Sequence, residues 1–219
     1  MLLSAAHRET TGDDLARLPI GRRDSLLLDL RRQLFGQELI GVAKCPSCHE
    51  RLEFDFRVSD ITVSGVSDNL PDDHTLNVDG YQIGFHLPNS FDLMAVTDLD
   101  EAKARQELLQ RCVNQVSRNG SEIDLSELPP SVVEMLNRHM ASLDPQADIE
   151  IDLSCPECDH RWSGLFDVAR YLWEEIDRWA RRTLEEVHIL ASKYGWRQDD
   201  ILNLSAWRRQ AYVELVQSR

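Results

Sequence analysis

"ADIEIDLSCPECDHRWSGLF", Ala147 to Phe166, is the stretch that decides the fold. Ala147, Ile149, Ile151 and Leu153 alternate with acids, the chain turns through Cys155-Pro156-Glu157-Cys158, and a second short run follows. Alternation of this kind is the period of a half-buried strand, so the stretch predicts a hairpin with a cysteine pair at its turn. One Cys-x-x-Cys pair aims two thiolates at an ion, and a tetrahedral site needs two more. The other half lies upstream. "ELIGVAKCPSCHERLEFDFRV", Glu38 to Val58, repeats the plan: a run, Cys45-Pro46-Ser47-Cys48, a polar turn, then Leu52, Phe54, Phe56 and Val58 alternating with charged residues.

Two such hairpins packed together make a zinc ribbon, with Cys45, Cys48, Cys155 and Cys158 as the expected ligands of a structural zinc. Between the pairs lie 106 residues, against roughly 15–20 in compact ribbons. The cost of closing a loop grows only with the logarithm of its length, and an insertion that folds by itself is easier still to accommodate. Redox and disulfide chemistry are the competing readings. A thioredoxin-type pair follows a strand and opens a helix, whereas both pairs here fall in hairpin turns. His49 and His160 adjoin the cysteines and are alternative ligands, although four sulfurs already complete the shell. Such a shell leaves no position for water or substrate, so the site is structural rather than catalytic. The fifth cysteine, Cys112 in "LLQRCVNQV", falls on the apolar side of its helix and is expected in the core.

Around these hairpins the chain reads as α+β: a split zinc ribbon with an α/β insertion and a helical C-terminal part. Residues 1–19 are polar and aperiodic, a flexible arm. Residues 20–166 form the zinc-ribbon domain, with an inserted hairpin and helices at about 62–146, and residues 167–219 are the helical C-terminal region. Leu26, Leu27, Leu30 and Leu34 predict a helix over Gly21 to Phe35, stopped by Gly36. Asp79-Gly80 suits the positive φ angles of a tight hairpin turn. Ser90 to Val96 reads as a short helix, Leu99 to Val116 as a longer one capped by Asp98, and "SRNGSEIDLSELPP" as a loop. Pro130 to Ser142 is a third helix opened by proline.

Charge narrows the partners. The net charge is −14 over 219 residues, and residues 170–219 are nearly neutral, so the first 169 carry it. No Lys or Arg occurs from Val58 to Ala102, while Asp60, Asp68, Asp72, Asp73, Asp79, Asp92, Asp98, Asp100 and Glu101 accumulate. That field repels phosphate backbones. It reads as a solvated acidic face, or as a docking surface for a basic protein partner. The N-terminus "MLLSAAHRETTGDD" has no basic leader and is not a secretory signal. No apolar run approaches the length of a membrane helix. The expected location is the cytoplasm, where thiols stay reduced.

Catalytic signatures are missing. There is no glycine-rich phosphate loop, G-x-S-x-G elbow or H-E-x-x-H motif. The acid pairs Asp72-Asp73, Glu174-Glu175 and Asp199-Asp200 fall in turns or on helix surfaces, where adjacent carboxylates diverge. The sequence thus predicts a protein that is not an enzyme.

From Asp167 onward Val168, Leu172, Ile176, Ala180, Leu184, Val187, Ala191 and Tyr194 form a long amphipathic stripe, with Trp173 and Trp179 to either side. Gly195 permits a bend, Asp199 and Asp200 favour a new helix start, and Ser205 is the expected cap of the last helix. Arg208 and Arg209 alone are too few for a nucleic-acid recognition face. Tyr, Trp and Arg dominate protein contacts, so Tyr194, Trp196, Trp207, Arg208 and Tyr212 are the expected partner-binding residues.

The order "YQIGFHLPNSFDLMAV", "LLQRCV", "LPPSVVEML", "DPQADIEIDLSCPEC", "FDVARYLWEEIDRWARRTLEEVHILASKYGW", "DDILNLSAWRRQAYVELV" resembles the T-even phage baseplate hub assembly chaperone family, in the zinc-ribbon form found with phage tail-like contractile injection systems. The similarity runs from about Leu18 to Val216. It implies a protein that helps to build a baseplate hub by contacting baseplate or hub proteins in the bacterial host cell, without catalysis. The rivals are a permanent baseplate subunit and a nucleic-acid-binding zinc-ribbon regulator.

Overall fold

The computed structural model describes residues 2–7, 9–63 and 71–218. The chain divides into two compact units, Met1–Val168 and Ala169–Arg219.

The first unit opens with two short helices, α1 (Leu2–Ala6) and α2 (Gly12–Arg17), and α3 (Ile20–Phe35) follows. The stretch expected to be a polar arm thus holds two short helices. Thr11 caps α2 by accepting from the Asp14 amide, and Leu3 and Leu15 are buried. Elements this short lack the repeats that periodicity detects. In α3 the buried face is Asp24, Leu27, Leu28 and Arg31 rather than the face through Leu34. Gly36, at φ 88°, ends the helix as expected.

Strand β1 (Glu38–Lys44) pairs antiparallel with β2 (Arg51–Arg57). Gly41 stands opposite Phe54, whose ring lies where a Cβ at Gly41 would be, 2.3 Å from its nearest carbon. The glycine thus lets an aromatic ring lie flat across the strand. One turn of helix, α4 (Val58–Ile61), leads into the insertion.

The insertion holds the largest sheet. Strands β3 (His74–Val78), β4 (Tyr81–Phe85), β5 (Val113–Arg118) and β6 (Ser121–Glu122) lie in that order, all antiparallel. Asp79 and Gly80 turn the first hairpin with φ 48° and 79°, as their sequence predicted. Between β4 and β5 come α5 (Ser90–Val96), capped by Asn89, and α6 (Glu101–Cys112), capped by Asp100. The long helix expected over Leu99 to Val116 stops at Cys112. Beyond it Val113 and Val116 extend and pair with Phe85 and Ile83 of β4, because a strand partner 30 residues away outweighs local helical period. The stretch expected to be a loop holds a second turn, Asn119-Gly120, with both φ positive. One face of this sheet is covered by α7 (Pro130–Leu143), whose Val132, Leu136 and Met140 pack on Tyr81, Ile83 and Phe85.

The chain then returns to β7 (Glu150–Ser154) and β8 (Arg161–Leu165), an antiparallel hairpin. Phe166 meets Phe56 edge-on at 5.2 Å, joining the two hairpins away from their tips. The insertion's entrance and exit are tied to each other. The side chain of Gln146, fully buried, accepts from the Val63 amide at 2.6 Å and donates to the Ile61 carbonyl at 2.9 Å. Next to it Asp144 accepts from the Gly21 amide at 2.8 Å, at the start of α3.

The second unit takes in α8 (Val168–Tyr194) from its second residue, with α9 (Gln198–Leu202) and α10 (Ala206–Gln217). Gly195, at φ 69°, ends α8, and Ser205 caps α10 by accepting from the Arg208 amide. Leu190, Ile201 and Val213 form its core. Beside them Arg209 donates through Nε to Glu186 at 2.9 Å and through Nη1 to the Leu204 carbonyl at 2.7 Å, and both ionic partners are buried. The apolar stripe predicted for α8 is only partly the buried one. Val168 and Leu172 are buried, but Leu184 is exposed, while Glu186 and Leu190 face inward.

Among the described residues, no helix is long and apolar enough to cross a membrane.

Candidate metal centre

The two hairpin tips are built alike, backbone atom for backbone atom. In the first, the Cys45 amide donates to the Glu50 carbonyl at 2.9 Å and the His49 amide to the Cys45 carbonyl at 3.0 Å. In the second, Cys155 donates to His160 at 2.9 Å and Asp159 to Cys155 at 3.0 Å. The residue four after the first cysteine is left-handed in both, His49 at φ 64° and Asp159 at φ 55°. Asp and His are among the non-glycine residues that tolerate this region best. The turn closes each Cys-Pro-x-Cys loop, so that both sulfurs project to the same side.

Those sulfurs meet. The thiol atoms of Cys45, Cys48, Cys155 and Cys158 all lie within 4.8 Å of one another. Cys45 Sγ is 3.7 Å from Cys158 Sγ, and Cys48 Sγ is 3.5 Å from Cys155 Sγ. Those separations are far beyond a disulfide bond of about 2.05 Å. They match the edge of a tetrahedron with metal–sulfur bonds of about 2.3 Å, roughly 3.8 Å. The donor set and its spacing therefore fit a zinc-type ion held by these four residues. In each pair the first cysteine is buried and the second exposed. Neither His49 nor His160 belongs to the group; His160 stacks on Trp162 instead, with ring centres 6.0 Å apart.

The electrostatics also call for a cation. Burial works to raise the Cys45 thiol, but the amides of Cys48 and Ser47 and the adjacent thiols outweigh it and bring it down to about 6. The Glu50 amide lowers Cys48, yet burial and the sulfurs of Cys155, Cys158 and Cys45 together push it up to about 12. Closely spaced thiols cannot all ionise unless a positive charge sits among them. A bound metal supplies that charge and makes all four thiolates favourable.

Cys112 is buried in the insertion's core, as its place on the helix implied, and burial first, then the Asp92 charge, pushes its thiol up to about 12. His86, Asp92 and Cys112 also come within 4.8 Å of one another. The carboxylate of Asp92 is already engaged: it accepts from Arg111 Nε at 3.1 Å and from the Asn89 amide at 3.2 Å, and lies 3.1 Å from His86 Nε2. Asp92, counted from the sequence as part of an acidic surface, is thus a buried hub between α5, α6 and the residue that follows β4. Of the remaining acids in that run, Asp100 pairs with Lys103 and Glu101 with Arg105, and Asp68 lies outside the described residues.

The five predicted contact residues separate into two groups. Tyr194 and Trp196 stack at 4.8 Å, and Tyr212 meets Trp196 edge-on at 5.0 Å. Trp207 and Arg208 stand apart on the first turn of α10, and Trp207 is 77% exposed. The Glu186–Arg209 pair and the Gln146 staple escaped sequence reading. The only signal for the first was an acid and an arginine inside otherwise amphipathic helices.

Fold and site together define a class: an α+β protein whose two distant cysteine knuckles converge on one closed four-sulfur centre. The sequence model of the T4 bacteriophage base plate protein family matches residues 4–173, and the chain belongs to that family. No curated protein and no solved structure matches it significantly.

Proposed function

We propose that the protein is a non-enzymatic assembly factor, a chaperone, for the baseplate hub of a phage tail or of a phage tail-like contractile injection system. It works in the host cytoplasm by protein–protein contact, on a scaffold held by structural zinc at Cys45, Cys48, Cys155 and Cys158. The observation that carries this reading is the surface of the tail. Trp173, Trp179, Tyr194, Trp207 and Tyr212 are all exposed there, and such side chains mark interaction sites. Membership of a base plate family supports baseplate or hub proteins as the partners. A centre closed by four sulfurs supports scaffolding over catalysis. Tyr194, Trp196, Trp207, Arg208 and Tyr212 form the proposed contact surface.

A permanent baseplate subunit is the second reading, favoured by the family's own description. Mass spectrometry of purified mature particles separates the two. Absence of the chain supports the chaperone, and stoichiometric presence supports the subunit. A nucleic-acid-binding regulator is disfavoured by the acidic first unit, and a salt-sensitive gel shift would revive it.

A further inference from the structure

The middle of α8 carries an apolar seam that is exposed at its two ends and half-buried between them. Trp173, Ile176, Ala180 and Leu184 follow one another at intervals of three, four and four residues, which keeps them on one side of a helix. Trp173 is 55% and Leu184 64% exposed. The helix's contacts with α9 and α10 run through a different set, Leu190 with Val187, Ile189 and Ala191. Along one margin of the seam Asp177 and Arg181 form an exposed ion pair at 2.7 Å.

We infer that this seam is where two copies of the chain associate, with the α8 helices antiparallel about a twofold axis near Arg178–Trp179. The seam is complementary to itself in that arrangement, whereas a parallel pairing in register would set Asp177 against Asp177 and Arg181 against Arg181. Trp173 of one copy meets Leu184 of the other, and Ile176 meets Ala180, so each layer sets a larger side chain against a smaller one. At the margin Asp177 faces Arg181 of the second copy, and Arg181 faces its Asp177. A twofold axis makes every contact between unlike positions occur twice, so opposite charges so placed attract reciprocally. The distribution of charge favours the same face. Residues 170–219 hold nine Lys/Arg against eight Asp/Glu, so all of the chain's net negative charge lies in the first 169 residues; two copies repel each other there, whereas the nearly neutral tail can approach another tail. The contact surface proposed for the assembly role, Tyr194, Trp196, Trp207, Arg208 and Tyr212, lies outside the seam, so the inference does not depend on that role.

Charge reversal in the full-length chain tests it, because Asp177 and Arg181 are exposed and their exchange leaves the helix intact. Sedimentation velocity over a roughly hundredfold dilution series is expected to show a monomer–dimer equilibrium for the native chain. Asp177→Arg alone and Arg181→Asp alone each place like charges across the axis twice, and weaken dimerisation roughly tenfold or more. Mixing the two variants matches every charge again, and a heterodimer forms at native strength. Leu184→Glu abolishes the dimer, with helicity by circular dichroism unchanged. A native chain that stays monomeric throughout overturns the inference, as does a mixture no tighter than the single variants.

Discussion

Two of the clusters in the first unit solve the same problem differently. In the insertion, ten buried side chains from the sheet, the loop after β4, α6, α7 and the loop before α7 pack together, with Leu136, Ile83 and Phe85 wholly enclosed. In the ribbon, the cluster at the knuckles has three buried members among the described residues, Cys45, Leu52 and Cys155, and two of them are sulfur donors. A core that small cannot offset the entropy of ordering four strands, which is why small modules of this kind depend on metal or disulfides. One region is held by burial, and the other gathers four thiols where a metal ion would hold it. They share a chain but not a source of stability.

The largest test of that contrast is loss of a ligand. Cys155→Ser, or chelation of the native chain, is expected to cost several kcal/mol, because metal binding and folding are one event in such sites. Hydrogen exchange should rise in β1, β2, β7 and β8 while β3, β4 and β5 stay protected. Uniform loss of protection would break the comparison. Leu136→Ala removes a fully buried side chain from the other core, and a loss of about 2–5 kcal/mol is expected, with zinc content by elemental analysis unchanged. Metal loss in that variant would show that the two cores are not separable. Between them, Gln146→Ala leaves the Val63 amide and Ile61 carbonyl without partners, a cost of about 1–3 kcal/mol readable in denaturant titrations.

The smallest effect has the opposite sign. Burial, only partly offset by Arg23, raises Asp24 to about 6, with Asp167 and Asp144 adding to it. Because the folded value lies above the unfolded one, the group's stabilising contribution is full below about pH 4 and is lost as pH rises through about 6. Asp24→Asn cannot ionise, so it should be more stable than the native chain by about 1–2 kcal/mol above pH 7 and nearly equal to it at pH 4. Melting temperatures across that range check the crossing.

Much of this was legible in the residues, and for identifiable reasons. Cysteine spacing is a local signal, and two copies of one pattern announced both knuckles and the insertion between them. Asp79-Gly80, Gly36, Ser205 and Pro130 act within a few residues, so they punctuate the chain correctly. What escaped depends on distant partners. Cys112 and Val113 lie on opposite sides of a helix-to-strand change that only β4 imposes. The inward turn of Glu186 follows from Arg209, 23 residues later. Asp92 reads as surface until Arg111, His86 and the Asn89 amide surround it. Acids and glutamines are exposed by default, and sequence alone does not say which ones have partners waiting.

The Gln146 staple has a consequence for how such a chain can change over generations. It brings residues 61–63 and 146 together as the two sides of a narrow doorway. Whatever is threaded through that doorway reaches the ribbon by the same two strands. Lengthening, trimming or replacing the 82 residues between Val63 and Gln146 would leave the knuckles in register. The ribbon is then a fixed socket, and the insertion an exchangeable fitting whose surface can follow a changing partner without re-inventing the fold.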